Sequence, residues 1–215
     1  RVRYTSKNSY GICINQVGEI VQYESNKEKQ LLLTLLQKRR IKKVTSQPIV
    51  IPYQDFDNKN RSYIPDFEAE DIDGNIEIYE FSLEERRAYD NIKSRERGAQ
   101  KYLAQKGWSY IVQTEHDLPK PTRMSNICAL RKYCPKVYFN QQLFVLIMEK
   151  LSSTQAMRLF ELEDYILNNV SIDRQTFISS LFHLMWHQYI NFEETKLLFD
   201  DGIPDPSIKI WIEKE

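Results

Sequence analysis

The sequence predicts an α/β chain, a mixed sheet flanked by helices, followed by a small, mostly α, winged-helix-like C-terminal domain. Three observations predict it. Up to Pro119, short runs rich in β-branched and aromatic residues alternate with stretches of helical period. Asp73-Gly74 separates two of those runs and is a strong hairpin signal, so the sheet is at least partly antiparallel. After Pro119 and Pro121, three apolar-periodic helical stretches follow with hardly a strand signal between them.

Ser25 opens the first helix, expected over roughly 25–38. It carries Leu31, Leu32, Leu35 and Leu36 and ends in the basic cluster Lys38–Lys43, where cations complement the helix dipole. Gln47-Pro48 breaks the pattern, and IVIPY (49–53) reads as a short strand. YIPDFEA (63–69) and NIEIYEF (75–81) are the strand-like runs on either side of Asp73-Gly74. From about Leu83 to Gln105 a charged stretch places Ile92, Ala99, Tyr102 and Leu103 at helical spacing, Gly107 serves as its C-cap, and WSYIVQT (108–114) reads as a buried strand. Helices are expected near 140–151, 155–168 and 173–189, with a hairpin from INFEETKLLF and SIKIWIEK. Three helices and a hairpin is winged-helix arithmetic. The boundary falls between 119 and 140, giving domains 1–136 and 137–215.

Composition narrows the classes. A chain of 215 residues fits one or two modest domains, and 41% hydrophobic with 12% aromatic residues excludes low-complexity, collagen-like and disordered sequences. No run approaches the ~18 apolar residues of a membrane span, and RVRYTSKNSY has no hydrophobic signal core, so a soluble, cytoplasmic protein without a membrane partner is expected. Cys13, Cys128 and Cys134 are odd in number and form no CxxC pair, which points to reduced thiols rather than a disulfide framework or a cysteine zinc site. The formal charge of zero hides alternating blocks: net +7 over 1–48, −8 over 49–90, +7 over 91–136 and −6 over 137–215. Two basic segments around an acidic one suit a phosphate-binding rim about a carboxylate-rich centre; charges scattered over solvated faces are the alternative.

Hairpin register decides where the acids stand. If Ile72-Asp73-Gly74 is a three-residue loop with Gly74 left-handed, Asp71 pairs with Asn75 and Asp66 falls opposite Glu80. Opposed residues have Cβ atoms about 4.5–5.5 Å apart, so two carboxylates there repel unless a proton or cation lies between them, and a divalent metal is the natural occupant. A two-residue Asp73-Gly74 turn would put them on opposite faces.

Pro65-Asp66, then Glu80-Phe81-Ser82, resembles the PD-(D/E)xK nuclease signature, with Ser82 at the position of the motif Lys. Glu28 on a helix, Gln47-Pro48, YIPDF, DIDGN, the second acidic strand, the charged helix and WSYIVQT follow in an order similar to the TnsA family, the endonuclease subunits of bacterial heteromeric transposases. The resemblance covers most of the chain and implies a restriction-endonuclease-like mixed sheet. It also implies a metal set of Glu28, Asp66 and Glu80 holding Mg²⁺ or Mn²⁺, with Ser82 as the fourth motif position. The implied activity is Mg-dependent hydrolysis of double-stranded transposon-end DNA on the strand opposite that processed by a partner DDE transposase. An ATPase regulator of transposition is the further implied partner. Glu28 also completes a capping box with Ser25, and Glu24 is the fallback ligand.

A hydroxyl at 82 supplies no positive charge. A cation from Arg86, Arg87 or Lys93, a second metal, or loss of cleavage are the three explanations. The last would leave a catalytically silent DNA-end-binding and assembly subunit; a standalone restriction or repair nuclease is a further alternative. Lys93, Arg97 and Lys101, spaced i, i+4, i+8, form a candidate phosphate-contacting stripe, and the Lys38–Lys43 cluster, with Lys42 and Lys43, a second track. The acidic C-terminal segment suits protein docking better than groove reading. His183 and His187 lie among apolar neighbours and read as core or interface histidines, as Phe177, Phe182 and Trp186 read as core.

Overall fold

The computed structural model describes residues 9–213. Arg1–Asn8, part of the stretch read above for a signal core, and Lys214 of the final run lie outside them. The chain divides into two compact units, Arg1–Leu118 and Pro119–Glu215.

In the first unit a hairpin of β1 (Gly11–Ile14) and β2 (Ile20–Tyr23) precedes α1 (Asn26–Gln37) and β3 (Ile41–Ser46). A second hairpin, β4 (Ile51–Gln54) and β5 (Asn60–Tyr63), leads into β6 (Phe67–Asp71) and β7 (Ile76–Phe81). A short 3₁₀ turn, α2 (Asp90–Ala104) and β8 (Ser109–Gln113) complete the unit. The central sheet runs β3-β6-β7-β8; the first three strands are antiparallel and β8 lies parallel to β7, with α2 as the crossover. Ser25 caps α1 by accepting the N–H of Glu28 at 3.1 Å, and Leu31, Leu32, Leu33, Leu35 and Leu36 bury its inner side. At about 1.5–3 kcal/mol for each fully buried leucine, that face outweighs any propensity effect in holding the helix. Ile78 of β7 packs with Ala99 and Leu103 of α2 and Ile51 of β4, so α2 covers the Ile78 face of the sheet.

Two expectations are corrected. Lys42 and Lys43 do not end a helix: they lie on β3, whose buried residues Ile41 and Val44 are brought to the core across a bulge. The outward lysines hid a strand. YIPDFEA is not one strand either. Tyr63 pairs with Ile51 in the second hairpin, whereas Phe67 pairs with Ser46 and Tyr79; Pro65, lacking an N–H, sits at the break between them.

The second unit contains α3 (Pro121–Leu130), α4 (Gln141–Ser152), β9 (Met157–Arg158), α5 (Leu159–Asn169) and α6 (Arg174–Trp186). These are followed by β10 (Asn191–Phe192), β11 (Phe199–Asp200), β12 (Ile203–Pro204) and β13 (Lys209–Trp211). β10 and β13 pair as the sequence suggested, but β9 joins on the far side of β13, and the small β11–β12 hairpin is inserted between them. Every residue of α6 from Phe177 to Trp186 is buried, because α3, α4 and α5 all pack on it. The contact of α3 with α6 moves the division to Leu118/Pro119, ahead of the expected 136/137.

Candidate active site

The β6–β7 loop has the three-residue form. Gly74 has φ +83°, the N–H of Asp71 donates to the carbonyl of Asn75 at 3.0 Å, and Asp71 Oδ1 accepts the N–H groups of Asp73 and Asn75. A residue without a Cβ tolerates that left-handed position at no steric cost. Pairing then runs Glu70 with Ile76, Ala69 with Glu77, Glu68 with Ile78 and Phe67 with Tyr79. Continued by one residue, the same register sets Asp66 opposite Glu80. Asp66 Oδ2 accepts the N–H of Phe81 at 2.7 Å, which fastens the first acid to the strand of the second.

Glu80 is buried and Asp66 half-buried. Burial pushes the Asp66 carboxyl upward against the lowering effect of the Phe81 N–H, and the negative charges of Glu28 and Glu24 add to the rise. Burial, then the charge of Asp66, pushes Glu80 upward as well, with Arg95 opposing. This is what low dielectric and like charge do to paired carboxylates. Tyr63 and Tyr110 line the same region, their hydroxyls made harder to ionise chiefly by burial and further by the charge of Glu80.

Of the other predicted residues, Glu28 lies within electrostatic reach of both acids, yet its Oε2 accepts the N–H of Glu24 at 2.7 Å in a capping arrangement. Glu24 itself accepts from the Gln47 side chain at 2.9 Å, and the Gln47 N–H donates to the carbonyl of Asp66 at 2.9 Å. Gln47 thus ties the start of α1 to the acid pair, at a left-handed φ of 49°. Ser82 is buried at the end of β7, its N–H donating to Gln113 of β8 at 2.9 Å.

The cation beside the acids is none of those nearest in sequence. Arg87 is engaged with Glu96 at 3.1 Å, and Lys93 stands 4.0 Å from Asp90. Arg95 of α2 pairs with Glu80 at 2.7 Å, its guanidinium 5.0 Å over the ring of Tyr63. Sequence reasoning passed over Arg95, although a signal existed: it shares the i, i+4, i+8 line of Ala99 and Leu103, so a cation stands on the buried face of the helix and needs a counter-charge.

Lys93, Arg97 and Lys101 line one open groove of about 790 Å³ between α2 and the β4–β5 hairpin, with Arg61 across from them. Lys42 and Lys43 stand apart on β3, paired with Glu70 at 2.6 Å and Glu19 at 2.9 Å. In the second unit His183 and His187 contact the carbonyls of Tyr133 and Cys134, and among the described residues they belong to no group of three His, Cys, Asp or Glu side chains.

Glu80 Oε2 is a buried carboxylate oxygen without a hydrogen-bond partner, facing a second acid across the hairpin. Hard oxygen donors left unsatisfied in this way fit Mg²⁺ or Mn²⁺. Asp66 and Glu80 are the residues that fit; Glu28 is engaged as a cap, and among the described residues no three His, Cys, Asp or Glu side chains stand ready as a group. No family model matches this chain, and no curated protein matches it.

Proposed function

We propose that the chain is the nuclease subunit of a DNA transposition complex, similar to the TnsA family. On this reading, the first unit is a restriction-endonuclease-like domain of PD-(D/E)xK type and the second a winged-helix-like docking domain. The observation that carries the reading is the acid pair of half-buried Asp66 and buried Glu80, set opposite each other by the register of the two antiparallel strands at the centre of a four-stranded mixed sheet.

Asp66 and Glu80 would hold Mg²⁺ or Mn²⁺, which when bound neutralises phosphoryl charge and acidifies a water for attack on the phosphodiester. The Phe81 N–H fixes the orientation of Asp66, and Gln47 fixes its backbone. The cations of the α2 groove hold the DNA backbone with little regard to sequence, since phosphate contacts position rather than specify. A partner DDE transposase would cut the other strand, and it and an ATPase regulator would dock on residues 137–215 of the second unit, the segment of net charge −6.

One observation favours a second reading, a silent DNA-end-binding and assembly subunit: Ser82 is uncharged and buried, and Glu28 is committed to the helix start. Asp66→Ala separates the two. Donor-strand cleavage in the reconstituted complex is expected to fall by about 10³-fold or more, the several kcal/mol that metal-held charge stabilisation supplies. Cleavage at full rate in that variant overturns the metal site, and cleavage without any transposase identifies a standalone nuclease.

A further inference from the structure

The pairing of Arg95 with Glu80 is end-on. One terminal nitrogen of the guanidinium meets Glu80 Oε1 at 2.7 Å, whereas Glu80 Oε2 and Arg95 Nε, both buried, have no partner. A structural arginine–carboxylate pair gains most from a fork that spends both oxygens and two nitrogens. Here that capacity is left unspent in a place where the carboxylate side chain is 7% and the guanidinium side chain 21% exposed. The stem is fixed on α2 one turn from buried Ala99, and the ring of Tyr63 lies under the charged plane. The charge of Arg95 reaches Asp66 as well as Glu80.

We propose that Arg95 is a positioning residue of the acidic site, holding Glu80 by one oxygen so that the other stays free, and supplying the fixed positive charge absent at Ser82. The proposal rests on reading Asp66 and Glu80 as a metal-binding, phosphodiester-cleaving pair. A guanidinium cannot lose its proton at physiological pH, so the charge is present throughout a turnover. It enters the site from the helix rather than from the strand that carries position 82. Among the described residues its Nε has no hydrogen-bond partner.

The test uses the full chain in the reconstituted complex with its partner transposase, a supercoiled donor plasmid and Mn²⁺, with single-turnover donor-strand nicking rates divided by the folded fraction of the chain from circular dichroism. Mn²⁺ binding to the same proteins is followed by titration calorimetry. Arg95→Met keeps the volume of the stem and is expected to slow nicking by about 10²-fold, the loss typical of one electrostatic contact to a transition state. Arg95→Lys, which restores charge, is expected to recover at least tenfold of that loss, and the double variant Arg95→Met/Ser82→Lys, which moves the charge to the strand, is expected to do the same. Nicking by Arg95→Met within threefold of wild type, while Asp66→Ala is inactive, overturns the role of Arg95 and leaves the acid pair standing. Nicking or Mn²⁺ binding indifferent to Asp66→Ala overturns the acid-pair reading itself. Should Arg95→Met not fold, Arg95→Gln, which removes the charge and keeps a donor for Glu80, is read instead: nicking slowed by about 10²-fold supports the role, and nicking within threefold of wild type overturns it.

Discussion

The Asp66 carboxylate accepts the N–H of Phe81, the residue after Glu80, at 2.7 Å, so the two acids of the hairpin are tied together by the strand that carries one of them. Burial raises Asp66 to about 7 and Glu80 to about 8. Unfolded, these groups ionise near ~4. A folded value above the unfolded one means that stability is fully present below pH ~4 for these groups and is lost as pH rises through 7 and 8. With EDTA present, the melting temperature should therefore fall between pH 6 and 8.5. Asp66→Asn, which keeps an acceptor for Phe81, should be more stable than wild type at pH 8.5 by about 1–3 kcal/mol. An identical pH slope in wild type and variant would show that the pair carries no such repulsion.

Gly98 meets Tyr53 where α2 crosses β4: a Cβ at 98 would stand 2.3 Å from the Cβ of Tyr53. In an open helix Gly→Ala gains about 1 kcal/mol. Here the clash is with the root of a side chain, which cannot swing aside, so Gly98→Ala should destabilise by about 1–3 kcal/mol, the cost of overpacking. Urea unfolding measures it. The companion Gly98→Ala/Tyr53→Gly should recover most of the loss, and failure to recover would place the strain elsewhere.

The acid pair was legible because its position follows from local turn chemistry: Asp73-Gly74 and the register it sets bring Asp66 opposite Glu80 without knowledge of any distant segment. The strand containing Lys42 and Lys43 was not, since its burial comes from pairing with β6 and its exposed positions mimic a helix end. Arg95 escaped for a related reason. Distance along the chain favoured Arg86, Arg87 and Lys93, whereas the crossover of α2 between β7 and β8 brings a residue fifteen positions past Glu80 back onto it. The β1–β2 hairpin and α3 carried weak periodic signals, and their packing alone defines them.

Asn126 is almost wholly buried in the second unit, donating to the carbonyl of Lys196 at 2.9 Å and accepting the N–H of Leu198 at 2.8 Å. It satisfies two backbone groups of a loop far along the chain. Asn126→Leu conserves volume but leaves both unpaired, and should cost about 2–4 kcal/mol in urea unfolding. A loss under 0.5 kcal/mol would mean that water replaces both bonds.

His183 and His187 lie 4.4 Å apart between ring centroids, their planes tilted by 57°. Burial pushes both downward, and for His187 the neighbouring His183 and Lys136 add to the effect. A folded value below the unfolded ~6.5 means that stability is present above that pH and is lost as pH falls below it. The melting temperature should drop between pH 7 and 5, and His187→Gln, which can still donate to the carbonyl of Cys134, should flatten the drop. An unaltered slope would assign the acid sensitivity to other groups.

The groove of α2 makes the sharpest distinction between a DNA track and a solvated face. Lys93, Arg97 and Lys101 line it together, whereas Lys42 and Lys43 each already spend their charge on a carboxylate. Each phosphate contact contributes about 0.9 to the slope of log affinity against log salt on duplex DNA. Replacing Lys93, Arg97 and Lys101 by alanine should therefore lower the magnitude of that slope by about 2–3, uniformly across duplex sequences, in fluorescence anisotropy titrations. Replacing Lys42 and Lys43 should lower it by less than about 1, because freeing Glu70 and Glu19 offsets little and removes no open cation. Equal slopes for the two sets would place the DNA on β3 rather than in the groove, and an unchanged slope for the α2 set would make that stripe an ordinary solvated face.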